Sequence, residues 1–260
     1  MYEAWEAASL RSDINFDGRA DSFERTIYGT SKGYVRLRVL CEDLLSEVPE
    51  ITHGGLSILD AGGGAGHISL LMAGMRNRVL LCDSSREMLE KAEAYIREAG
   101  LSNLIATEHS TIQELEGAGP FDVITCHAVL EWLSEPEPTL KHLIRFLKDD
   151  GVMSLMFYNR NAAVLKRILR GDFAEALRED HAVEQDCTPL SENTVRMWLA
   201  EAGMSVRSSS GIRIFHDHVP EEIRGGDRLG DLLAVEIALR KQDPFASLAQ
   251  HMHLVCEKIR

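Results

Sequence analysis

Short apolar runs alternate with amphipathic stretches through the middle of the chain. Three stretches, "HISLLMAGM", "SREMLEKAEAYIREAG" and "EPTLKHLIRFLKDDG", have helical periodicity, and we expect the third helix to end near Gly151. Between them lie near-continuous apolar runs that are typical of strands buried on both faces of a parallel sheet: "LSILD" (56–60), "VLLCD" (79–83), "LIATE" (104–108), "FDVITCH" (121–127) and "VMSLMFY" (152–158). Repeated strand–helix units predict a doubly wound α/β fold.

The pattern changes after Tyr158. Helical insertions are expected at about 160–193 and 220–243, and "MSVRSSSGIRIF" and "HMHLVCEKI" predict two late strands that form an antiparallel hairpin. The predicted fold is therefore a Rossmann-like seven-stranded sheet with an antiparallel C-terminal hairpin. One domain is expected over residues 41–260, after a helical N-terminal extension over residues 1–40.

Four glycines fall within five positions, 62–66, just after the first predicted strand, in "ILDAGGGAG" (58–66). A tight turn between a strand and a helix uses glycine backbone angles, and a ligand can approach backbone that carries no side chain. The free amides at the next helix suit an anionic group. Asp83 ends the second predicted strand, where a carboxylate can accept hydrogen bonds from both ribose hydroxyls. An adenosine cofactor is the favoured interpretation, and a tight turn without a ligand is the alternative.

Composition narrows the classes of function. Of 260 residues 45% are hydrophobic, which supports a packed core, and no apolar run is long enough to cross a membrane. The N-terminus lacks the pattern of a signal peptide, so we expect a cytoplasmic protein with no membrane partner. The net charge of −13 argues against DNA and against RNA binding through bulk charge, but leaves room for a local basic patch. The cysteines have no metal-ligand spacing, and His216, Asp217 and His218 lack a second cluster, so no metal is expected.

Several motifs together resemble the class I S-adenosylmethionine-dependent methyltransferases. "DAGGGAG" (60–66) has the D-x-G-x-G-x-G spacing of their first motif. The segments "LLCDSSREMLEKA", "ATEHSTIQEL" (106–115), "FDVITCHAVLEWL" (121–133) and "LKDDGVMSLMFYN" (147–159) resemble the later motifs in the right order. The resemblance implies S-adenosyl-L-methionine as the cofactor.

A narrower resemblance covers most of the chain. "FERTIYGTSKGYVRLRVL" (23–40), "HAVLEW" (127–132), "SLMFYN" (154–159) and "GIRIFHDH" (211–218) are similar to the tRNA 5-carboxymethoxyuridine methyltransferase family. Membership implies methylation of the carboxylate of that nucleoside at the wobble position, with the tRNA anticodon region as partner. It also implies that the N-terminal extension closes over the cofactor.

The resemblance implies a set of cofactor-binding residues. Arg36 would reach the cofactor's carboxylate, Asp83 the ribose, and His127 the methionine portion. Ile112 and Gln113 would lie near the adenine. The glycine loop supplies the remaining members of the set, which are Asp60, Gly62, Gly63 and Gly64.

The acceptor site is argued from the chemistry of the reaction. A carboxylate is ionised at neutral pH and needs no catalytic base, so no residue is assigned as catalytic and His127 is a cofactor contact more readily than a general base. The candidates for positioning the acceptor are Tyr158, Asn159 and Arg213, although Tyr158 could be an aromatic wall and Arg213 a surface charge. A basic cluster after the fifth strand supplies the candidates for binding substrate, which are Arg160, Lys166, Arg167 and Arg170.

One segment departs from the family. "REDHAVEQDCTPLSEN" (178–193) is acidic where members of the family carry a basic stretch, and phosphate contacts normally supply much of the affinity for RNA. Two alternatives therefore stay open. They are a methyltransferase that acts on a small metabolite and a protein that binds the cofactor without turnover. The oligomeric state is left open as well.

Overall fold

The computed structural model describes residues 12–178 and 187–259 of the chain. These residues form a seven-stranded sheet in the order β3-β2-β1-β4-β5-β7-β6. The strands are β1 (Ser57–Ala61), β2 (Arg78–Asp83), β3 (Ile105–His109), β4 (Phe121–His127), β5 (Leu147–Tyr158), β6 (Met204–Ile212) and β7 (His251–Lys258). Strands β1 to β5 pair in parallel, and β7 pairs antiparallel with both β5 and β6. The predicted fold class and its C-terminal hairpin are confirmed.

Helices connect the strands and cover both faces of the sheet. They are α1 (Ala20–Phe23), α2 (Ser31–Glu47), α3 (His67–Gly74), α4 (Arg86–Glu98), α5 (Pro136–Ile144), α6 (Arg160–Arg170), α7 (Phe173–Ala176), α8 (Glu192–Glu201), α9 (Glu221–Arg224) and α10 (Leu229–Leu239). A π-helical turn spans Glu24–Tyr28, and 3-10 turns span Pro49–His53, Leu130–Trp132 and Ala246–Leu248. Helix α2 runs on through residue 40, where the sequence analysis ended the N-terminal extension.

Side-chain caps explain where several helices begin. The hydroxyl of Thr30 accepts a hydrogen bond from the Lys32 amide at the start of α2. Ser85 caps α4 and Ser191 caps α8 in the same way. Each cap satisfies an amide that has no partner within its helix, which stabilises the helix by about 1 kcal/mol.

The third predicted helix is wrong at its end. Helix α5 stops at Ile144, and β5 already begins at Leu147, which pairs with Phe121 of β4. The register then shifts, so that Val123 pairs with Val152. The polar residues between these pairs form an irregularity at the strand's start, where Lys148 Nζ donates to Asp122 Oδ1 at 2.7 Å. Ladder pairing therefore overrides the helical appearance of this segment.

The core lies on both sides of the central strands. Ile124 of β4 packs into one cluster with residues of α5 and α8. Its neighbour Val123 packs into the other cluster, with residues of α2, α3, α4 and α10. Alternate residues of one strand thus face opposite layers, and the carboxyl ends of the parallel strands meet at one edge of the sheet. None of the helices in the described ranges is long and apolar enough to cross a membrane.

Candidate active site

A cavity of about 260 Å³ lies at the carboxyl ends of β1, β2 and β4, and we call it the glycine-loop cleft. The backbone of Gly62 forms its floor with a φ of +68°, and the amides of Gly62 and Gly63 donate to the Cys82 carbonyl at 2.7 and 3.2 Å. A Cβ atom on Gly62 would lie 2.4 Å from Cγ2 of Val129. Only glycine fits that position, because both the backbone angle and the close side chain oppose a larger residue.

Two aspartates hold the loop in place. Asp60 is buried and accepts hydrogen bonds from Ser69 Oγ at 2.7 Å and Thr125 Oγ1 at 2.8 Å. Asp83 accepts from the amides of Gly64 and Ser85, both at 2.8 Å. Burial raises the pKa of both carboxyls above the usual value. Asp83 thus ties the glycine loop to the end of β2 and lines the cleft.

The N-terminal segment 13–18 crosses the mouth of this cleft. Asp13 accepts from the Ser134 amide at 2.7 Å on one side and from Gln113 Nε2 at 2.8 Å on another. Asn15 Nδ2 donates to the Ser84 carbonyl at 2.8 Å across the cleft. Ile112 also lines the wall, beside Gln113. The segment therefore links the ends of β2, β3 and β4 over the cavity.

A buried hydrogen-bond chain runs from α2 to the cleft. Asp43 Oδ2 accepts from His253 Nδ1 at 3.0 Å, and His253 Nε2 lies 2.7 Å from Ser154 Oγ. Ser154 Oγ lies 2.8 Å from Nε2 of His127, which lines the cleft. Burial, together with the charge of His253, holds the pKa of His127 well below its usual value, so its ring is neutral. Nδ1 of His127 has no hydrogen-bond partner among the described residues.

Arg36 stands between the cleft and a second cavity. Its side chain is buried and lines both spaces, and its Nη2 donates to His251 Nε2 at 3.1 Å. Phe23, Ala128 and Trp132 also line both cavities. The two cavities therefore adjoin each other at these four residues.

The second cavity has a volume of about 660 Å³, and we call it the basic cavity. Among the described residues, six basic side chains line it, which are Lys32, Arg36, Lys166, Arg170, Arg213 and Arg224. Within the described ranges two acidic side chains, Glu131 and Asp217, also line it. Burial raises the pKa of Glu131 to about 7, whereas hydrogen bonds and the charge of Arg213 outweigh burial and hold the pKa of Asp217 well below its usual range. The excess of positive charge suits an anionic ligand.

The loop after β6 presents Arg213 to this cavity. Arg213 has a φ of +61°, which is uncommon for a residue with a side chain, and its Nη2 forms an ion pair with Asp217. The buried carboxylate of Glu236, on α10, accepts from the amides of Ile214, Phe215 and His216 at 2.6 to 2.9 Å. These three hydrogen bonds to one carboxylate stabilise the loop in a conformation that includes the unfavourable positive φ of Arg213.

The structure brings some of the predicted acceptor-site residues together and excludes others. Tyr158 and Arg213 line the basic cavity, as do Lys166 and Arg170. Asn159 does not line either cavity, and its prediction as a positioning residue is corrected. Its side chain accepts from the Asn161 amide at 3.1 Å and donates to the carbonyls of Ser247 and Ala249 at 2.9 and 2.8 Å, so every polar atom serves the fold.

Only part of the basic cluster of α6 reaches the cavity. Lys166 and Arg170 lie four residues apart on one face of the helix, and both line the cavity. Arg160 and Arg167 are not among the lining residues. Arg167 Nη1 instead donates to the Glu175 carbonyl at 3.4 Å. The acidic segment 178–193 lies largely outside the described residues, since 179–186 are not described.

The sequence analysis missed several site residues. Asp43 and Glu236 are buried acids within the apolar faces of α2 and α10. An acid on an apolar helix face predicts that the fold supplies a hydrogen-bond or ion-pair partner for it. Asp13 and the role of His253 carried no signal that could be read from the chain alone. No group of three or more histidine, cysteine or acidic side chains that could hold a metal ion occurs in the described part of the chain.

The fold and the glycine-loop cleft define a class I methyltransferase. A family described as a methyltransferase domain matches residues 34–209. Among solved structures, magnesium protoporphyrin IX methyltransferase from Synechocystis PCC 6803 superposes with a TM-score of 0.61 at 16% identity, covering 99% of this chain and 94% of that one. The chain belongs to the S-adenosylmethionine-dependent methyltransferases, and the predicted class is confirmed.

The particular family follows from the curated relatives. The tRNA 5-carboxymethoxyuridine methyltransferase of Escherichia coli K12 is 34% identical over 252 residues, which cover 95% of this chain and 97% of the relative. The ubiquinone biosynthesis O-methyltransferase of Caulobacter vibrioides is 34% identical over only 113 residues, 43% of this chain and 44% of that enzyme. The chain is a member of the tRNA 5-carboxymethoxyuridine methyltransferase family.

The residues of the cleft fit S-adenosyl-L-methionine. The floor has no side chain at Gly62, and a Cβ there would collide with the cleft wall. Asp83 stands at the end of β2, where ribose hydroxyls are bound in this fold. His127 Nδ1 and Arg36 Nε are buried polar atoms with no partner among the described residues, and the polar methionine portion can satisfy both.

Proposed function

We propose that this enzyme methylates the carboxylate of 5-carboxymethoxyuridine at the wobble position of tRNA and gives the methyl ester. The observation that carries the proposal is the basic cavity, which adjoins the glycine-loop cleft through Arg36. An anionic acceptor bound there would lie next to the cofactor, at the boundary that the two cavities share. The full-length similarity to enzymes of this name supports the same substrate.

The cleft residues have separate tasks in this proposal. Asp83 accepts hydrogen bonds from the ribose, Arg36 binds the cofactor's carboxylate, and His127 meets its amino group. Ile112 and Gln113 flank the adenine, and the segment 13–18 closes over the bound cofactor. When bound, the cofactor supplies a methyl group on a positively charged sulfur.

The acceptor needs positioning and no base. A carboxylate oxygen of the acceptor forms a bond to the methyl carbon as the methyl–sulfur bond breaks, and no proton moves. Arg213 binds the carboxylate and Tyr158 forms a wall of the basic cavity beside it. These residues align the attacking oxygen and exclude water, and such alignment can supply up to about 7 to 11 kcal/mol of the barrier reduction.

In this proposal the anticodon region enters the basic cavity alongside α6. Lys166 and Arg170 stand on the cavity side of that helix, where phosphates of the anticodon loop would pass. This local patch attracts RNA although the chain as a whole carries a net charge of −13.

Mass spectrometry of tRNA nucleosides tests the proposal. The purified protein is incubated with S-adenosyl-L-methionine and tRNA that carries 5-carboxymethoxyuridine, and the digest is expected to show one added methyl group on that nucleoside. The Asp83→Ala variant should lose the product, whereas Glu108→Ala, which removes an exposed acid of the neighbouring strand, should retain it. An unmodified nucleoside together with normal cofactor binding would refute the tRNA substrate and leave the methyltransferase class intact.

A further inference from the structure

Two buried N–H groups in the wall of the basic cavity have no acceptor among the described residues. They are Nε of Arg213 and Nδ1 of His251, whose side chains line the cavity and are each 5% exposed. A buried donor without an acceptor costs about 1 to 3 kcal/mol, so a native fold keeps one only where a ligand or a water satisfies it.

The proton position on His251 follows from its partner. Arginine can only donate, so the 3.1 Å contact from Arg36 Nη2 requires His251 Nε2 to be the acceptor. Burial, together with the charges of Arg36 and Arg213, holds the pKa of His251 well below its usual value, so the ring carries one proton. That proton is therefore on Nδ1, which makes this nitrogen a hydrogen-bond donor.

The two donors lie beside each other in the fold. Ile212, which precedes Arg213, pairs with His251 at the end of the β6–β7 ladder. The Gln250 amide donates to the Arg213 carbonyl at 3.0 Å and extends this contact into the loop. Asp217 occupies Nη2 of Arg213 and leaves Nε for a ligand. Two N–H groups on residues that are neighbours in the fold can donate to the two oxygens of one carboxylate.

We propose that Arg213 Nε and His251 Nδ1 form the subsite that binds the acceptor's carboxylate, and that Arg36 positions His251 by fixing its tautomer. The inference rests on the proposed function, because it assigns the residues that read the carboxylate of 5-carboxymethoxyuridine. It adds a specificity residue, His251, and joins the acceptor subsite to the cofactor through the side chain of Arg36.

Binding of two anticodon stem-loops tests the subsite. One oligoribonucleotide carries 5-carboxymethoxyuridine, the other carries 5-methoxyuridine, and both are titrated in the presence of S-adenosylhomocysteine so that no turnover occurs. The wild-type protein should prefer the carboxylate stem-loop by about tenfold or more, the effect of one hydrogen bond to a charged group. No preference in the wild-type protein would overturn the carboxylate acceptor and the subsite together.

A matched pair of variants separates the subsite from a structural role. His251→Asn places an amide N–H where Nδ1 stood and should keep the preference. His251→Gln places its amide where Nε2 stood, so it can still accept from Arg36 but should lose the preference. Retained preference in both variants, or loss in the Asn variant alone, would overturn the subsite and leave the proposed function standing.

Two further measurements keep the test independent of activity. S-adenosylhomocysteine should bind both variants within about twofold of the wild-type affinity, since neither removes a residue of the glycine-loop cleft. In the wild-type protein, nitrogen NMR of the histidine rings should show the His251 proton on Nδ1. A proton on Nε2 would overturn the assignment without any substitution.

Discussion

The glycine-loop cleft and the basic cavity are built from the chain in different ways. The cleft takes its floor from one loop, 60–66, and the acid Asp83 from the next strand end. The basic cavity takes Lys32 from α2, Glu131 from a turn after β4, and His251 from β7. The cleft therefore depends mainly on local backbone geometry, whereas the cavity depends on the packing of distant elements. Substitutions that change either the backbone of the glycine loop or the packing of distant elements can therefore test the two cavities separately.

The largest expected effect comes from Gly62→Ala. The new Cβ would meet Val129 Cγ2 at 2.4 Å while the backbone holds a φ of +68°, so the loop must deform. Clash and backbone strain together cost about 3 kcal/mol, which corresponds to about a hundredfold loss of affinity for S-adenosylhomocysteine. Isothermal titration calorimetry measures this loss. Gly55→Ala is the control, because Gly55 has a φ of +88° with no atom near its Cβ, and it should bind the cofactor normally.

Asp43→Asn breaks the packing behind both cavities. Arg240 Nε donates to Asp43 Oδ1 at 2.6 Å, and His253 donates to the other oxygen, so the substitution leaves a buried cation without its partner. We expect the free energy of unfolding at pH 7 to fall by about 3 kcal/mol. Chemical denaturation measures this change, and Asp231→Asn, an exposed acid of α10, should leave stability unchanged.

At low pH the contribution of Asp43 to the free energy of unfolding should disappear. Burial opposes its ionisation, but hydrogen bonds from His253, Ser210 and Arg240 outweigh burial and hold its pKa at about 2. Because the pKa is lower in the folded state, the stabilisation is present above pH 4 and is lost as the pH falls toward 2. Denaturation curves of the wild-type and Asp43→Asn proteins should therefore converge as the pH reaches about 2. A difference that stays constant from pH 7 to pH 2 would refute the role of the ionised carboxylate.

Glu131→Gln tests the charge of the basic cavity with a smaller effect. Burial raises the pKa of Glu131 to about 7, so its carboxyl is neutral at pH 6 and ionised at pH 8. Ionisation places a negative charge beside an anionic acceptor, and wild-type affinity for the carboxylate stem-loop should fall by up to about tenfold over this range. The Gln variant should show no such fall, while the exposed control Glu135→Gln should behave as the wild-type protein does.

The free energy of unfolding should also depend on the protonation of Glu131. The folded state keeps a proton on Glu131 that the unfolded chain releases near pH 4.5, so this stabilisation is complete below pH 4.5 and is lost as the pH rises through 7. Thermal unfolding of the wild-type and Glu131→Gln proteins from pH 5 to pH 8 measures this dependence. Parallel curves would mean that Glu131 does not titrate in the folded protein over this range.

Arg170→Ala should have the smallest effect, and it should weaken RNA binding without changing cofactor binding. Removal of one phosphate contact lowers the slope of log affinity against log salt by about one. Tight binding of S-adenosylhomocysteine should be unchanged, because Arg170 lines only the basic cavity. The control is Arg97→Ala, an exposed cation on α4 that lines neither cavity. Equal slopes of log affinity against log salt for the two variants would mean that Arg170 of α6 makes no phosphate contact.

Local patterns predicted the sheet and the cleft well. Local patterns placed all seven strands. Near-continuous apolar runs marked the central strands, which are largely buried, whereas the edge strands β3 and β6 are partly exposed and carry polar residues. The glycine spacing and Asp83 predicted the cleft because tight turns and strand ends act over a few residues. The end of α5 was wrong because strand pairing with Phe121 decided the state of residues 147–151.

Predictions for the basic cavity were mixed, because a residue type does not say which way its side chain faces. Tyr158 and Asn159 are adjacent in the chain, yet the first lines the cavity and the second supports the fold. Arg167 and Arg170 lie on one helix, and only Arg170 faces the cavity. Side-chain direction depends on the contacts of each face, and the sequence does not display these.

The sequence by itself determined the α/β fold, the class of enzyme and the loop that receives the cofactor, because those features depend on short-range geometry and on the period of apolar residues. The tertiary structure alone decided that Arg36 serves both cavities and that His251 carries its proton on Nδ1. It also brought Glu236 under the loop that presents Arg213. Each of these contacts joins residues that are 20 or more positions apart, and only the packed fold determines which distant partners meet.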